Sequence, residues 1–442
     1  MNAGRVATAA ALVAAAATAC HEGGPTEPSG ESAASWEAPR QVAADGNAPR
    51  LAVARAGQTA MALWSRSDAN VYTGPFVWVT RRLPSGAWTP AERQGQTHYA
   101  PDIAVRGDGT AHAAWVTNGV VEAASFAAGS MLGRPHVLGV IPYDERLSFD
   151  GMVRIAAHDD GDVSALWPTA RALWAGRSID GRWTEAERVS SDGPHFNPRL
   201  AVDPAGNEIA AWVKGLYPAN GPVTGELRLS RRPAGGSWTP EIVVAATARW
   251  DTPFEMGVDA VGRVFLAWRE SAGAQLVEWA ARLEPGGAPE RQRLADHAVP
   301  NEHKPRLAVA SDGSATVSWA AHAGAAVQIH ARRYVQGRGW MGDELVGVGE
   351  GNETMPVVAT NADGEIVVAW RQADLTRWRL WSRRFRAGVW ESAVRIPNDE
   401  GRRVDSLELG MDDGGGALAL WTLPEPSSRT SLWASGREGR SR

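Results

Sequence analysis

The chain has one cysteine, Cys20, in 442 residues. A lone cysteine excludes an internal disulfide, so packing and hydrogen bonds must hold the fold together. Lysine is almost as scarce, occurring only at Lys214 and Lys304. Arginine therefore carries nearly all the positive charge, and the formal net charge is −5. A nucleic-acid binder usually shows a basic stripe, and none is visible. Phenylalanine (7) and tyrosine (5) are few beside 21 tryptophans. A bias of that size calls first for a repeated structural role and only second for binding.

The longest apolar stretch is N-terminal. Residues 1–20 read MNAGRVATAAALVAAAATAC. Arg5 precedes a segment, Val6 to Ala17, too short to cross a bilayer as a permanent helix. Thr18-Ala19-Cys20 resembles the end of a bacterial lipobox, with Ala17 where that motif prefers leucine. The resemblance implies a signal peptide over 1–20, lipidation of Cys20, and an exported lipoprotein anchored in the outer membrane or at the cell surface. An ordinary cleaved signal peptide is the alternative. Residues 21–34 are rich in Gly, Pro, Ser and Glu and bury too little to fold, so a flexible tether is expected there.

From residue 35 onward one phrase recurs. In PRLAVDPAGNEIAAW, residues 198–212, two short apolar runs flank a turn at Gly206 and end at Trp212. Equivalent tryptophans stand at Trp64, Trp115, Trp167, Trp268, Trp319, Trp370 and Trp421, spaced by 45 to 56 residues. Eight units of about fifty residues mark a repeat architecture. Each unit parses into four strands. The first, as in RLAVA, alternates in polarity and ends in a turn such as Asp108-Gly109 or Asp312-Gly313. The second runs to the tryptophan. The third often ends in arginines (LRLSRR, LWSRR), and the fourth has the form WTPAER.

Four antiparallel strands repeated radially make a β-propeller blade. The last unit lacks its fourth strand, and SWEAPRQVA at 35–43 supplies one. The reading is all-β: a single eight-bladed β-propeller over 35–442, with its last blade closed by an N-terminal strand. Closure removes the exposed strand edges. Small residues at Ala52, Ala104, Ala156, Ala201, Gly257, Ala308, Ala359 and Gly410 are expected where innermost strands crowd near the axis.

The unit is similar to repeats of the Asp-box, or sialidase-like, superfamily. The nearest match to that motif is SIDGRW, Ser178 to Trp183, two residues short of the full pattern. The resemblance implies a propeller that handles glycans. Sialidases of that group have six blades, an arginine triad and a tyrosine nucleophile, so eight blades argue against direct membership.

Candidate functional residues fall on one face, called upper here, where the innermost strands begin. A charged residue opens that strand in seven of eight units: Arg50, Asp102, Arg154, Arg199, Glu255, Arg306 and Glu408, with Val357 the exception. They are expected to ring the channel mouth, either as a self-satisfied ion-pair network or as a ligand site. Arg154 and Arg199 are consecutive with no acid between them, which invites a bound anion. The loops entering this face carry His98, Tyr99, His195 and Trp250, and function concentrates in such loops. The repeated tryptophans either stack sugars or, as all eight units carry one, wedge between blades. No catalytic set, metal site or cofactor motif is legible. The expected function is a ligand-binding lipoprotein, taking an acidic glycan or a protein partner at the upper face, monomeric and without nucleic acid. A glycan-active hydrolase or lyase and a structural envelope protein are the alternatives.

Overall fold

The computed structural model describes residues 35–439 except 55–58, 67–74, 98, 128–134, 143–152, 218–222, 248, 250, 273–274, 298–304, 324–325, 351–354, 374–376 and 426–429. The signal peptide, Cys20 and the tether, together with His98 and Trp250, lie outside the described residues.

Eight antiparallel sheets follow one another along the chain, and no helix occurs among the described residues. The innermost strands of blades 1 to 8 are Asn47–Val53, Asp102–Val105, Arg154–Ala157, His195–Val202, Phe254–Val258, Arg306–Val309, Met355–Thr360 and Ser406–Met411. Each contacts its successor, and the last contacts the first, so the ring is closed. In blades 3 and 7 the outermost strand is interrupted, as Arg182–Trp183 with Glu187–Arg188 and as Val389–Trp390 with Val394–Ile396.

Blade 8 is completed as the sequence implies. Arg40–Ala43 pairs antiparallel with Thr430–Arg437, placing Arg40 opposite Ala434. Glu37 N donates to the Gly436 carbonyl at 2.7 Å, and the Trp36 indole N–H reaches Ser382 Oγ in blade 7 at 2.8 Å. A strand from one end of the chain thus satisfies the backbone of a strand at the other, which leaves no open seam.

The eight repeated tryptophans are all buried. Each packs onto the blade before it. Trp64 joins Leu418, Leu420 and Leu432 of blade 8, Trp212 joins Leu166 and Leu173 of blade 3, and Trp370 joins Val327 and Ile329 of blade 6. The wedge role is therefore the one realised, and it rules these rings out as sugar platforms. Glycines on the preceding blade make room. A Cβ on Gly95 would stand 2.3 Å from Trp115 Nε1, and one on Gly347 would stand 2.5 Å from Trp370 Cζ2. Trp115 and Trp268 donate to Glu122 and Glu270, whereas the indole N–H groups of Trp64, Trp212, Trp370 and Trp421 meet no acceptor among the described residues.

The Asp-Gly turns are three-residue loops rather than two-residue ones. Arg106 N donates to Thr110 O and Gly109 N to Arg106 O, with Gly109 at φ 81°. This is a type I turn followed by a left-handed residue, which is why glycine fills that position. Side chains latch these lower turns from blade to blade: Arg106 Nη2 donates to Asp159 O at 2.7 Å and Arg231 Nη1 to Gly262 O at 2.7 Å. SIDGRW forms the turn between third and fourth strands, with Asp180 and Gly181 both at positive φ and Ile179 opposite Arg182.

Candidate functional site

Asp102, Arg154 and Arg306 open their innermost strands, Glu255 and Glu408 follow one and two residues in, and Arg50 and Arg199 come directly after a skip in strand pairing, so the topology brings all seven to one mouth. Val357 of blade 7 occupies the eighth position and is buried. Below them runs a belt of Val53, Val105, Ala157, Val202 and Val258. Together with Arg106, Asp159, Asp203 and Asp259 it lines a cavity of about 360 Å³ at the lower mouth. The axis is therefore charged above and apolar in the middle.

Ion pairs link five ring members in series. Arg199 Nε lies 3.8 Å from Glu255 Oε2, and Glu255 Oε1 lies 3.8 Å from Arg306 Nε. Arg306 Nη2 reaches past Val357 to Glu408 Oε2 at 3.7 Å, and Glu408 Oε1 lies 3.8 Å from Arg50 Nη1. These separations exceed hydrogen-bond distance, so the pairs attract without locking their partners in one geometry. Asp102 is used differently: its Oδ2 accepts the backbone N–H of Ile155 at 3.1 Å in the next blade.

Arg154 and Arg199 converge on one atom. Arg154 Nε and Arg199 Nη1 each donate to the Pro198 carbonyl at 3.0 Å. The carbonyl is put there by an irregularity in the blade 4 innermost strand, where pairing skips between Phe196 and Arg199. Asn197 sits in that step at φ 52°, a conformation uncommon outside glycine. Its Nδ2 holds the position by donating to the Asp251 carbonyl at 3.0 Å and the Thr252 carbonyl at 3.3 Å. The arginine pair is thus organised around a backbone oxygen, an arrangement the sequence did not reveal. The sequence signal for it is Asn197, a residue tolerant of positive φ, directly before Pro198.

Electrostatics mark the same pair. Arg154 is only 7% exposed. Burial first, and the neighbouring Arg199 second, push its guanidinium down to about 10. Arg199 is lowered as well, again chiefly by burial, with Glu255 opposing. Arg306 shifts upward, because Glu255 and Glu408 outweigh its burial. The ring holds four arginines and three acids, and its positive excess lies at blades 3 and 4.

Of the other sequence candidates, His98 and Trp250 lie outside the described residues, and His195 and Tyr99 serve packing. His195 was expected in an exposed loop. Instead it opens the blade 4 innermost strand, fully buried, with its ring edge-on to Trp212 at 6.0 Å between centroids. Desolvation pushes its imidazole down to about 3, so it stays neutral and serves packing. Tyr99 is half-buried against the apolar cluster between blades 2 and 3. One buried carboxyl that the sequence did not single out is Glu278 in blade 5. It accepts a hydrogen bond from Arg269, and burial pushes it up to about 7. Among the described residues no group of three His, Cys, Asp or Glu side chains is placed to hold a metal ion.

No family model matches the chain, and no curated protein does. Among solved structures, the chain is similar to an ulvan lyase bound to -[GlcA(1-4)Rha3S]-, at 11% identity and TM-score 0.49 over 82% of this chain and 93% of that one. A second polysaccharide lyase gives 11% identity and TM-score 0.48 over 93% and 94% of the two chains. An α-L-arabinanase from Penicillium chrysogenum, complexed with arabinobiose, gives 13% identity and TM-score 0.37 over 66% and 95%. At these identities the reading of function rests on the residues themselves.

Proposed function

We propose that this protein is an exported lipoprotein whose propeller binds an anionic group at the upper channel mouth, on an acidic glycan or on a carboxylate-bearing protein partner. The observation that carries the reading is the convergence of Arg154 and Arg199 on the Pro198 carbonyl. Two guanidiniums held on one oxygen repel each other, and Arg154 is depressed first by its burial and second by Arg199. A carboxylate or sulfate approaching from the channel would relieve it, because the planar guanidinium edge takes such groups bidentately. Glu255 and Asp102 flank the pair and oppose further loss of charge.

The test is binding of uronate, sialate and sulfated ligands, with neutral sugars as controls, before and after the paired change Arg154→Ala and Arg199→Ala. Loss of acidic-ligand binding at unchanged melting temperature supports the site. A large loss of stability, with no ligand bound by the parent, returns the ring to a structural role. Turnover of a glycoside panel by the parent would replace binding with catalysis.

A further inference from the structure

One arginine position recurs in the third strand, three residues past the one that faces the repeated tryptophan. It holds Arg81, Arg177, Arg231, Arg282, Arg333 and Arg384 in blade 1 and blades 3 to 7. Four of these meet a carboxylate. Arg177 Nη2 lies 2.8 Å from Asp162 Oδ2, Arg282 Nη2 2.7 Å from Glu290 Oε2 and Arg333 Nη2 2.6 Å from Glu344 Oε1, and Arg384 pairs with Glu365. The side chains of Arg81 and Arg231 donate only to carbonyls. Arg81 is buried, its Nη2 on Ala127 O at 3.0 Å, whereas Arg231 is half-buried.

Arg231 Nη1 donates to Gly262 O at 2.7 Å and Nη2 to Leu283 O at 3.4 Å, long for such a bond. A guanidinium carries five N–H groups, and no carboxylate lies within ion-pair distance of this one among the described residues. The nearby acids are committed elsewhere. Asp203 accepts the backbone N–H groups of Ala205 and Asn207 and the Asn207 amide, Asp259 holds Arg263 Nε at 2.6 Å, and Glu284 pairs with Arg282. These three acids draw Arg231 upward, yet burial is the larger effect and its guanidinium is lowered. The register gives the reason. Leu229 faces Ile242, so Pro240 stands across from Arg231, whereas in blade 5 Glu290 stands across from Arg282. Blade 4 has a proline where its neighbour has the acid.

A groove of about 470 Å³ lies beside Arg231, between the lower turns of blades 4 and 5, with Pro233, Pro240, Ile242 and Pro285 as its apolar walls. The turns are closed by Gly236 N on Pro233 O at 2.8 Å and Gly287 N on Glu284 O at 2.9 Å. Proline fixes φ, so these walls stand before a ligand arrives. The other polar side chains there, Asn207 and Thr239, accept the backbone N–H groups of Ala234 and Arg231. The volume falls in the range of small-molecule sites. We propose that the groove binds a small apolar carboxylic acid, its carboxylate taking the place of the absent acid on Arg231 and its apolar body lying between the two proline turns. The guanidinium fork suits a carboxylate, and burying the apolar body against the prolines removes it from water. A neutral compound leaves the guanidinium unpaired, and a short hydrophilic acid leaves the walls wet. The site lies on the face opposite the charged mouth and does not depend on the function proposed for that mouth.

The test uses the full chain and calorimetry with 2-naphthoate and decanoate. Acetate supplies the charge without the body, and 2-naphthylmethanol the body without the charge. The two acids should bind with a dissociation constant of about 1 mM or tighter, and each control at least about tenfold more weakly. Arg231→Gln should weaken the acids at least about tenfold. Arg231 also latches blade 5, so a second variant separates binding from folding. Pro240→Glu changes an exposed residue, leaves the latch in place and puts a carboxylate across from Arg231. It should abolish binding of both acids at unchanged melting temperature. Equal affinity for naphthoate and naphthylmethanol overturns the site, as does binding that survives Pro240→Glu or a parent that binds neither acid. Polyglutamate or phosphatidate vesicles that bind in an Arg231-dependent way, with the free acids silent, overturn the small-molecule assignment.

Discussion

Gly410 offers a direct test of how the ring closes. It lies in the innermost strand of blade 8, beside blade 1, at the seam between the two ends of the propeller. A Cβ there would stand 2.3 Å from Val53 Cγ2 and 3.0 Å from Val53 Cβ. Carbon atoms rest about 3.5–4.0 Å apart, so Val53 would have to retreat by about 1 Å or more. Val53 cannot simply rotate away, because a β-branched side chain is stiff at χ1 and its strand is fixed by pairing with Ala60. Overpacking of this kind costs about 1–3 kcal/mol, and the loss of glycine's freedom in the unfolded chain offsets about 0.4–1 kcal/mol. Gly410→Ala should therefore destabilise by about 1–2 kcal/mol, read from the urea midpoint at constant slope. Val53→Ala in the same chain should recover most of the loss, giving a coupling of about 1 kcal/mol in a double-mutant cycle. Gly342→Ala, where a Cβ meets nothing within 4 Å, is the control and should be neutral or slightly stabilising. A Gly410→Ala protein as stable as the parent, or one that Val53→Ala does not rescue, refutes the crowding argument.

Trp212→Ala should cost about 3–5 kcal/mol, because the ring is a blade-to-blade wedge; a loss below about 1 kcal/mol in urea unfolding would refute that role. Glu278 keeps its proton to about pH 7 in the fold, against 4.5 for an ordinary glutamate. Between those values the unfolded chain binds fewer protons, so the stability this site contributes is present at low pH and lost as pH rises. Glu278→Gln should flatten that decline, and an unchanged slope across the same interval would show that the carboxyl does not titrate as stated. Cys20→Ser should abolish lipid labelling and release the protein from membranes; a variant that still fractionates with the envelope after a salt wash contradicts the anchor.

The architecture is legible in the sequence alone. The recurrence of Trp64 through Trp421 counts the blades, and alternating polarity with Asp-Gly turns defines the strands. The stranded segment SWEAPRQVA announces that the ends meet. These features are legible because they are local and periodic: strand alternation, turn chemistry and one wedge per unit repeat at nearly fixed spacing. The charged ring was legible for the same reason, since a fixed offset from the turn glycine becomes a fixed height along the axis.

The features that emerge only on folding lie between blades or break the repeat. Gly95 and Gly347 serve the tryptophan of the following blade across loops of differing length, so no spacing marks them. His195 reads as an exposed loop residue until the strand before Phe196 is seen to extend and cover it. The convergence of Arg154 and Arg199 depends on one skipped register step that turns the Pro198 carbonyl toward both. The stacking of Arg371 and Arg403 on Trp378 joins two strands and a loop. In each case the deciding contact is made by groups far apart in the chain, and the register that brings them together is set by how whole blades pack.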